Sequence, residues 1–361
     1  MVAQGLRAPT ASSPAELVGR MVAVQAQEFG YALWGVAQRV AACPTRRAVL
    51  QAFDSGDVLR THVLRPTWHF VAPQDARWLL RLTTPRLRRQ MASYDRQQGI
   101  DGDVLARSHD VLAAAVAGGH HRTRRDLAAA LESAGIATGN GRISFLLIHA
   151  EFDEVLISGA MSGKQQTYAA FDERVPPSPD SDEEQALARL ASRYLATRGP
   201  ATAKDLATWA GLTLGQARRG LAVIDSDCAV VDVEGMTMYA LREATPERAA
   251  GRGSAAGPVV DLLQGFDEMI MSYLESRWLL APPGVLPVAD HATHAHAVLI
   301  DGALVGHWRA RTAAGGAGVD VQLRRPLRAD EQEALQQAVS RYGEYLGTPC
   351  ALTEQVLLDN I

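Results

Sequence analysis

The sequence predicts a mainly α fold with β: three tandem units of helices followed by a hairpin, then a small β-rich, barrel-like C-terminal domain. Three observations carry this reading. Helix-start signatures recur through the first 240 residues, strand pairs follow the helices, and past residue 259 helical apolar spacing gives way to alternation. A chain of 361 residues has room for several domains, since one core seldom grows beyond about 250 residues.

The first unit is assigned to residues 1–80. "SPAE" at 13–16 reads as a helix start, with Ser13 as cap, Pro14 at the first helical position and Glu16 reaching back to the cap amide. Leu17, Val18, Met21 and Val22 recur at helical spacing, and Gly30 is the expected stop. "TRRAVLQAFD" at 45–54 is a second helix. "VLRTHVLRPTWHFVAP", rich in branched and aromatic residues, reads as strand. The second unit, 81–175 with its connecting helices, has Thr123 as a cap with Asp126 three positions on, and "SGK" at 162–164 as a hairpin tip. The third, 185–245, is the clearest. Thr202 caps "TAKD", Thr213 and Gln216 form a second box after the Gly211 turn, and Glu234-Gly235 joins two strands. Helices joined by a tight glycine turn and followed by a hairpin describe a winged helix-turn-helix. A proline-rich acidic stretch at 175–185 and a glycine-rich one at 246–259 read as linkers. In the last domain, 259–361, Asp301-Gly302 marks a hairpin and "RADEQEALQQAVSRYGEYLG" a closing amphipathic helix.

Composition bounds the function. No run reaches the roughly 20 apolar residues of a membrane span, and the N-terminus lacks a basic-then-apolar leader. Cys43, Cys228 and Cys350 lie far apart, which points to a reducing cytoplasm and away from disulfides or a zinc site. The net charge of −4 means that nucleic-acid contact must come from local patches.

Such patches exist. On winged helices the second helix of the turn commonly enters a DNA groove. Arg218 and Arg219 lie on that helix in the third unit, with Lys204 near its partner helix. Arg122, Arg124 and Arg125 open the matching helix of the second unit, and Lys164 tips its wing. Arg86, Arg88 and Arg89 form a further cluster. A single charge run is usually a solvated face, but several on tandem units favour double-stranded DNA as partner. The chain supplies its repeats internally and has no heptad helix, so a monomer is expected. "HATHAH" at 291–296 could place His294 and His296 on one strand face, yet ligands at metal spacing are missing, so no metal site is expected. Asp267 and Glu268 read as domain packing. Hydrolase, NTPase, dinucleotide and zincin motifs are absent from the sequence.

The remaining oddity is "VAVQAQ", where Gln25 and Gln27 flank one small residue at the lip of an apolar run. On a helix, residues two apart point away from each other, so the amides share a cleft only if the helix ends there. Glutamine is a poor general base. It can hold a water and aim a carbonyl dipole at developing positive charge.

"VAVQAQ", "HVLRPTWHF", "GFDEMIMSYLESR" and "VLIDGALVGHWR" occur in order across the chain. In these motifs the sequence resembles the winged-helix DNA glycosylase family, most closely the AlkZ-like branch associated with self-resistance to DNA-alkylating antibiotics. The resemblance implies tandem winged helices and a C-terminal β-domain around duplex DNA. It implies hydrolysis of the N-glycosidic bond of N7-alkylguanine, crosslinks included, without a cofactor. The catalytic signature is Gln-aliphatic-Gln, here Gln25, Ala26 and Gln27; a sister branch has aspartate in the last place. The Leu64–His69 segment matches too, which implies a lesion pocket of Arg65, Thr67, Trp68 and His69. The competing reading from the same repeats is a DNA-binding transcriptional regulator without chemistry.

Overall fold

The structure is a computed structural model describing residues 1–179, 182–244, 257–280, 296–313 and 316–356. It is a mixed α/β chain.

In the first segment, α1 (Pro14–Met21) starts on the Ser13 cap, whose side chain accepts from the Glu16 N–H. The Glu16 carboxylate reaches Ser12 rather than the cap. The expected helix exit at Gly30 is not what forms. Val22 takes a positive φ of 67° and ends α1. The chain then becomes strand β1 (Ala23–Gln25), and Gly30 lies in the first turn of α2 (Phe29–Ala37). The physical reason is distant: β1 pairs with β3 (Trp68–Val71), which in turn pairs with β2 (Leu59–His62), both antiparallel. Between them α3 (Arg46–Ser55) starts on the Thr45 cap and ends at Gly56.

The long helix α4 (Pro73–Gln97) carries Arg86, Arg88 and Arg89. Its buried Trp78, Leu79 and Leu80 pack with Tyr194 and Trp209 in one core. Asp75, also buried, accepts from the Trp78 indole (2.9 Å) and from Arg193 (2.6 and 2.7 Å). The second segment holds α5 (Gly102–Val116), β4 (Arg122–Thr123), α6 (Arg124–Ser133), α7 (Arg142–Phe152), β5 (Leu156–Ser158) and β6 (Thr167–Ala170). Its sheet runs β4-β6-β5, and Leu112, Leu127, Leu131 and Leu146 fill its core. The Thr123–Asp126 capping box forms as the spacing predicts. After α8 (Phe171–Arg174), the third segment has α9 (Glu183–Arg198), α10 (Ala203–Ala210), α11 (Leu214–Val223) and the hairpin β7 (Cys228–Val233) and β8 (Met236–Leu241). Both predicted capping boxes are present here.

The last segment contains β9 (Val260–Leu262), a one-turn helix α12 (Glu268–Met271), β10 (Ala297–Ile300), β11 (Ala303–Ala313), β12 (Gly316–Leu323), α13 (Ala329–Leu346) and β13 (Cys350–Val356). The strands form a sheet in the order β13-β12-β11-β10-β9. Among the described residues β9 and β13 end this strand order, and the sheet curls as a half-barrel. One face packs on α13 through Leu335, Ala338 and Val339, and the same core takes in Leu33, Trp34, Phe53 and Phe70 of the first segment. The Trp34 indole donates to the Leu262 carbonyl at 2.7 Å. Each large side chain buried this way contributes about 1.5–3 kcal/mol. The two ends of the chain therefore share one core, and their meeting fixes the strand that carries Gln25.

Candidate active site

The Gln25-Ala26-Gln27 segment runs off the end of β1 into a bend at Gln27. Gln25 lies opposite His69 in the sheet, and the Ala26 N–H donates to the Trp68 carbonyl at 2.7 Å. More distant parts of the chain hold the segment as well. The Gln25 N–H donates to the Glu268 carboxylate (2.8 Å), and the Gln25 carbonyl accepts from the Gln264 amide (3.0 Å). The Ala26 carbonyl accepts two bonds from the Arg60 guanidinium (3.1 and 2.8 Å), which also reaches the Gln27 carbonyl at 3.5 Å.

The two carboxamides meet the same loop but differ in exposure. Gln25 is 1% exposed, and its Oε1 accepts from Arg65 at 2.6 Å. Gln27 is exposed, and its Oε1 accepts from the Trp68 N–H at 3.2 Å. One amide is thus open to solvent while the other lies beneath an arginine. The helix does end before Gln25, yet the two amides do not open equally onto one cleft.

Arg65 is the hub of this arrangement. It also donates to the Trp209 carbonyl and to His69 Nε2, the latter at 3.2 Å. The Thr67 carbonyl lies 2.9 Å from His69 Nδ1, so the proton belongs on Nδ1 and Nε2 accepts. Burial, with the Arg65 charge beside it, pushes the His69 imidazole down to about 3. His69 is therefore neutral at pH 7 and serves as a fixed acceptor. Burial also lowers Arg65 to about 10, which leaves it charged.

Glu268 is the buried anion under the site. Its Oε2 accepts from Arg198 (2.7 Å), the Trp209 indole (2.8 Å) and Ser272 (3.0 Å). Burial raises its carboxyl, but Arg198 and the Gln25 N–H outweigh this and hold it at about 2. Its sibling Asp267 pairs with buried Arg39. Both carboxylates are packing residues, as the sequence reading has them, and Glu268 also steadies the Gln25 backbone.

The other candidates divide into two groups. Trp68, Arg124, Arg125 and Lys164 line one cleft of about 630 Å³, together with Arg60 and Tyr168. Arg122 sits beside it, with its Nε on the Ala115 carbonyl at 3.0 Å. Lys204, Arg218 and Arg219 do not line that cleft. Lys204 lies 3.7 Å from Glu275, Arg219 pairs with Glu183 and Glu184, and Arg218 is exposed. Arg88 pairs with Asp153, while Arg86 and Arg89 line a separate cleft with Trp78. His296 stacks on Tyr31 (centroids 3.8 Å) and its Nδ1 accepts from the Gly265 N–H; His294 lies outside the described residues. Among the described residues no three His, Cys, Asp or Glu side chains converge as a metal cluster, and no helix is long and apolar enough to cross a membrane.

Sequence reasoning misses Arg60, Arg198 and Gln264. Arg60 has a readable signal: an arginine in a short strand bounded by Val58, Leu59 and Val63 must find acceptors if that strand is buried.

A model of the AlkZ-like DNA glycosylase family matches residues 18–345. The chain is 28% identical over 328 residues to an interstrand DNA cross-link repair glycosylase of Streptomyces sahachiroi, covering 85% of each. Its fold is similar to the solved structure of the Streptomyces sahachiroi DNA glycosylase AlkZ, with a TM-score of 0.74 at 21% identity, over 99% of this chain and 97% of that one. The chain therefore belongs to the AlkZ-like DNA glycosylase family, enzymes of DNA repair that act on N-glycosyl bonds.

Proposed function

We propose that this enzyme is a monofunctional glycosylase that hydrolyses the N-glycosidic bond of N7-alkylguanine in duplex DNA, bulky adducts and interstrand crosslinks included. The observation that carries the reading is the Gln25-Ala26-Gln27 segment, whose main chain is held by Glu268, Gln264, Trp68 and Arg60. Preorganised dipoles of this kind act at no reorganisation cost during reaction.

Alkylation at N7 makes guanine cationic, so the base departs neutral and needs no acid. Positive charge builds on the sugar, and the oxygen of water bonds to C1′ while its proton passes to solvent. A carbonyl oxygen has two lone pairs. Trp68 occupies one on Gln27, and the other is free to hold the water or face the sugar. Gln25 joins when DNA phosphates compete for Arg65, with His69 keeping the loop in register. The three helical segments act as winged-helix units along the duplex, and Arg122, Arg124, Arg125 and Lys164 meet the backbone. The family name and the relative's crosslink substrate support this reading; with repeats carried internally, the proposed enzyme acts as a monomer in the cytoplasm.

The test is excision from duplex DNA carrying 7-methylguanine, scored as alkali-labile sites, with a crosslinked duplex in parallel. Gln25→Ala and Gln27→Ala should each slow release about 100-fold, the scale for losing one preorganised polar group. Wild-type rates in Gln27→Ala would remove the pair from catalysis. Binding to one undamaged sequence with no base released would make the protein a regulator.

A further inference from the structure

The cleft beside Gln27 has a feature that base excision alone does not use. Trp68 is half-buried, and its indole rests on two side chains of β2. The His62 ring lies 3.8 Å from it, centroid to centroid, and Arg60 Cζ lies 4.2 Å from its centroid. Positions two apart on a strand point to the same face, so both supports rise from one side of the sheet. His62 is itself pinned, its Nδ1 2.9 Å from buried Glu151. Trp68 thus lies against a rigid bed, and its remaining surface lines the 630 Å³ cleft. Tyr168 stands 6.4 Å away at a 48° tilt.

Arg124, Arg125 and Lys164, all exposed, line the same cleft. Among the described residues none of the three makes an ion pair; Arg124 donates to the neutral Ser144 hydroxyl at 2.8 Å. The nearby Asp126 carboxylate accepts from the N–H and hydroxyl of Thr123, the cap residue of α6. An aromatic ring and three cations lining one cleft match a planar ring attached to a phosphodiester, because aromatic side chains stack on any base while cations track the backbone.

We propose that Trp68 and the Arg124–Arg125–Lys164 rim form a stacking subsite for a planar aromatic ring that lies outside the duplex stack, next to its phosphate. This rests on the glycosylase reading for its setting and names what the site accommodates beside the scissile bond. The ring has two sources: an unpaired base of the DNA, or an aromatic group carried by the adduct.

The experiment measures binding by the intact protein to three duplexes, one fully paired, one with a single bulged base, and one with a bulky planar adduct. Affinity and tryptophan emission are read together. Wild type should prefer a duplex that offers a free ring, with quenched emission. Preference for the bulge assigns the ring to the DNA, and preference for the adduct alone assigns it to the lesion. Trp68→Ala should weaken the preferred duplex about 5- to 150-fold, the stacking range for one base, and the paired duplex clearly less. Trp68→Phe should fall between, which guards against a fold defect, and melting curves check both variants. Equal weakening on all three duplexes, or none, overturns the subsite. Excision of 7-methylguanine by wild type without any ring preference would sink the subsite and spare the glycosylase. A Trp68-dependent preference in a protein that releases no base would do the reverse.

Discussion

Replacing Glu268 with glutamine is a severe perturbation that keeps the shape of the side chain. Its Oε2 accepts from Arg198, Trp209 and Ser272; an amide nitrogen there would face three donors. The carboxyl is held at about 2 against an ordinary 4.5, and the residue is 1% exposed. A shift of this size is worth about 3 kcal/mol, at 1.36 kcal/mol per pH unit. Breaking a buried pair by removing one partner costs about 3–5 kcal/mol, which agrees. The sign follows from linkage. Because the folded value is depressed, the contribution is full above pH 4.5 and disappears as pH falls toward 2. Denaturant unfolding of wild type and Glu268→Gln at pH 7, repeated down to pH 2.5, measures both effects. The variant should lose about 3 kcal/mol at pH 7 and show a flatter acid limb. A loss under about 1 kcal/mol, or an unchanged acid limb, would refute the account of Glu268 as the electrostatic base of the site.

Other single features lend themselves to the same treatment. Arg124→Ala with Arg125→Ala should weaken DNA binding at all sequences and reduce the salt slope by about 2, close to 0.9 for each phosphate left without its arginine; an unchanged slope takes the pair out of the interface. Gly211→Ala should destabilise far more than Gly235→Ala. Both glycines have positive φ, but a Cβ at 211 would lie 1.8 Å from the Leu64 carbonyl oxygen while one at 235 meets nothing within 4 Å. Gly235→Ala should cost about 1–2 kcal/mol, the left-handed penalty alone, and equal melting shifts would show that the Leu64 approach is not tight. His69, pushed down to about 3 from 6.5, should stay neutral in ring NMR shifts at pH 5. Since the unfolded state takes up that proton first, stability should fall as pH drops from 6.5 toward 3, and His69→Gln should remove that part of the slope.

Local chemistry is readable wherever it decides the structure. Thr123, Thr202 and Thr213 cap their helices with the partners that spacing assigns, because a capping box closes within four residues. The hairpin at Glu234-Gly235 forms for the same reason. Residues 22–28 look like a helix exit in the sequence, yet the force that makes a strand there is pairing with residues 69–71, more than forty positions on. No local pattern reveals such a partner. The Gln pair stands out by its residue types, but that Arg65 covers Gln25, and that Gln27 alone is open, depends on Trp209 and His69 arriving from elsewhere. Arg124, Arg125, Lys164 and Trp68 each draw notice in the sequence for separate reasons. Their convergence on one cleft is a product of packing between two sheets.

Two anchors of Gln25 come from far along the polypeptide, at separations of 239 and 243 residues. Contacts of that length form late, because the loop-closure entropy comes before the reward. A nascent chain still lacking Gln264 and Glu268 would have the Trp68 and Arg60 bonds to this segment but not the two that hold the Gln25 backbone from far along the chain. The Gln25-Ala26-Gln27 segment therefore takes its braced form only once the stretch around Gln264 and Glu268 has been made and has docked.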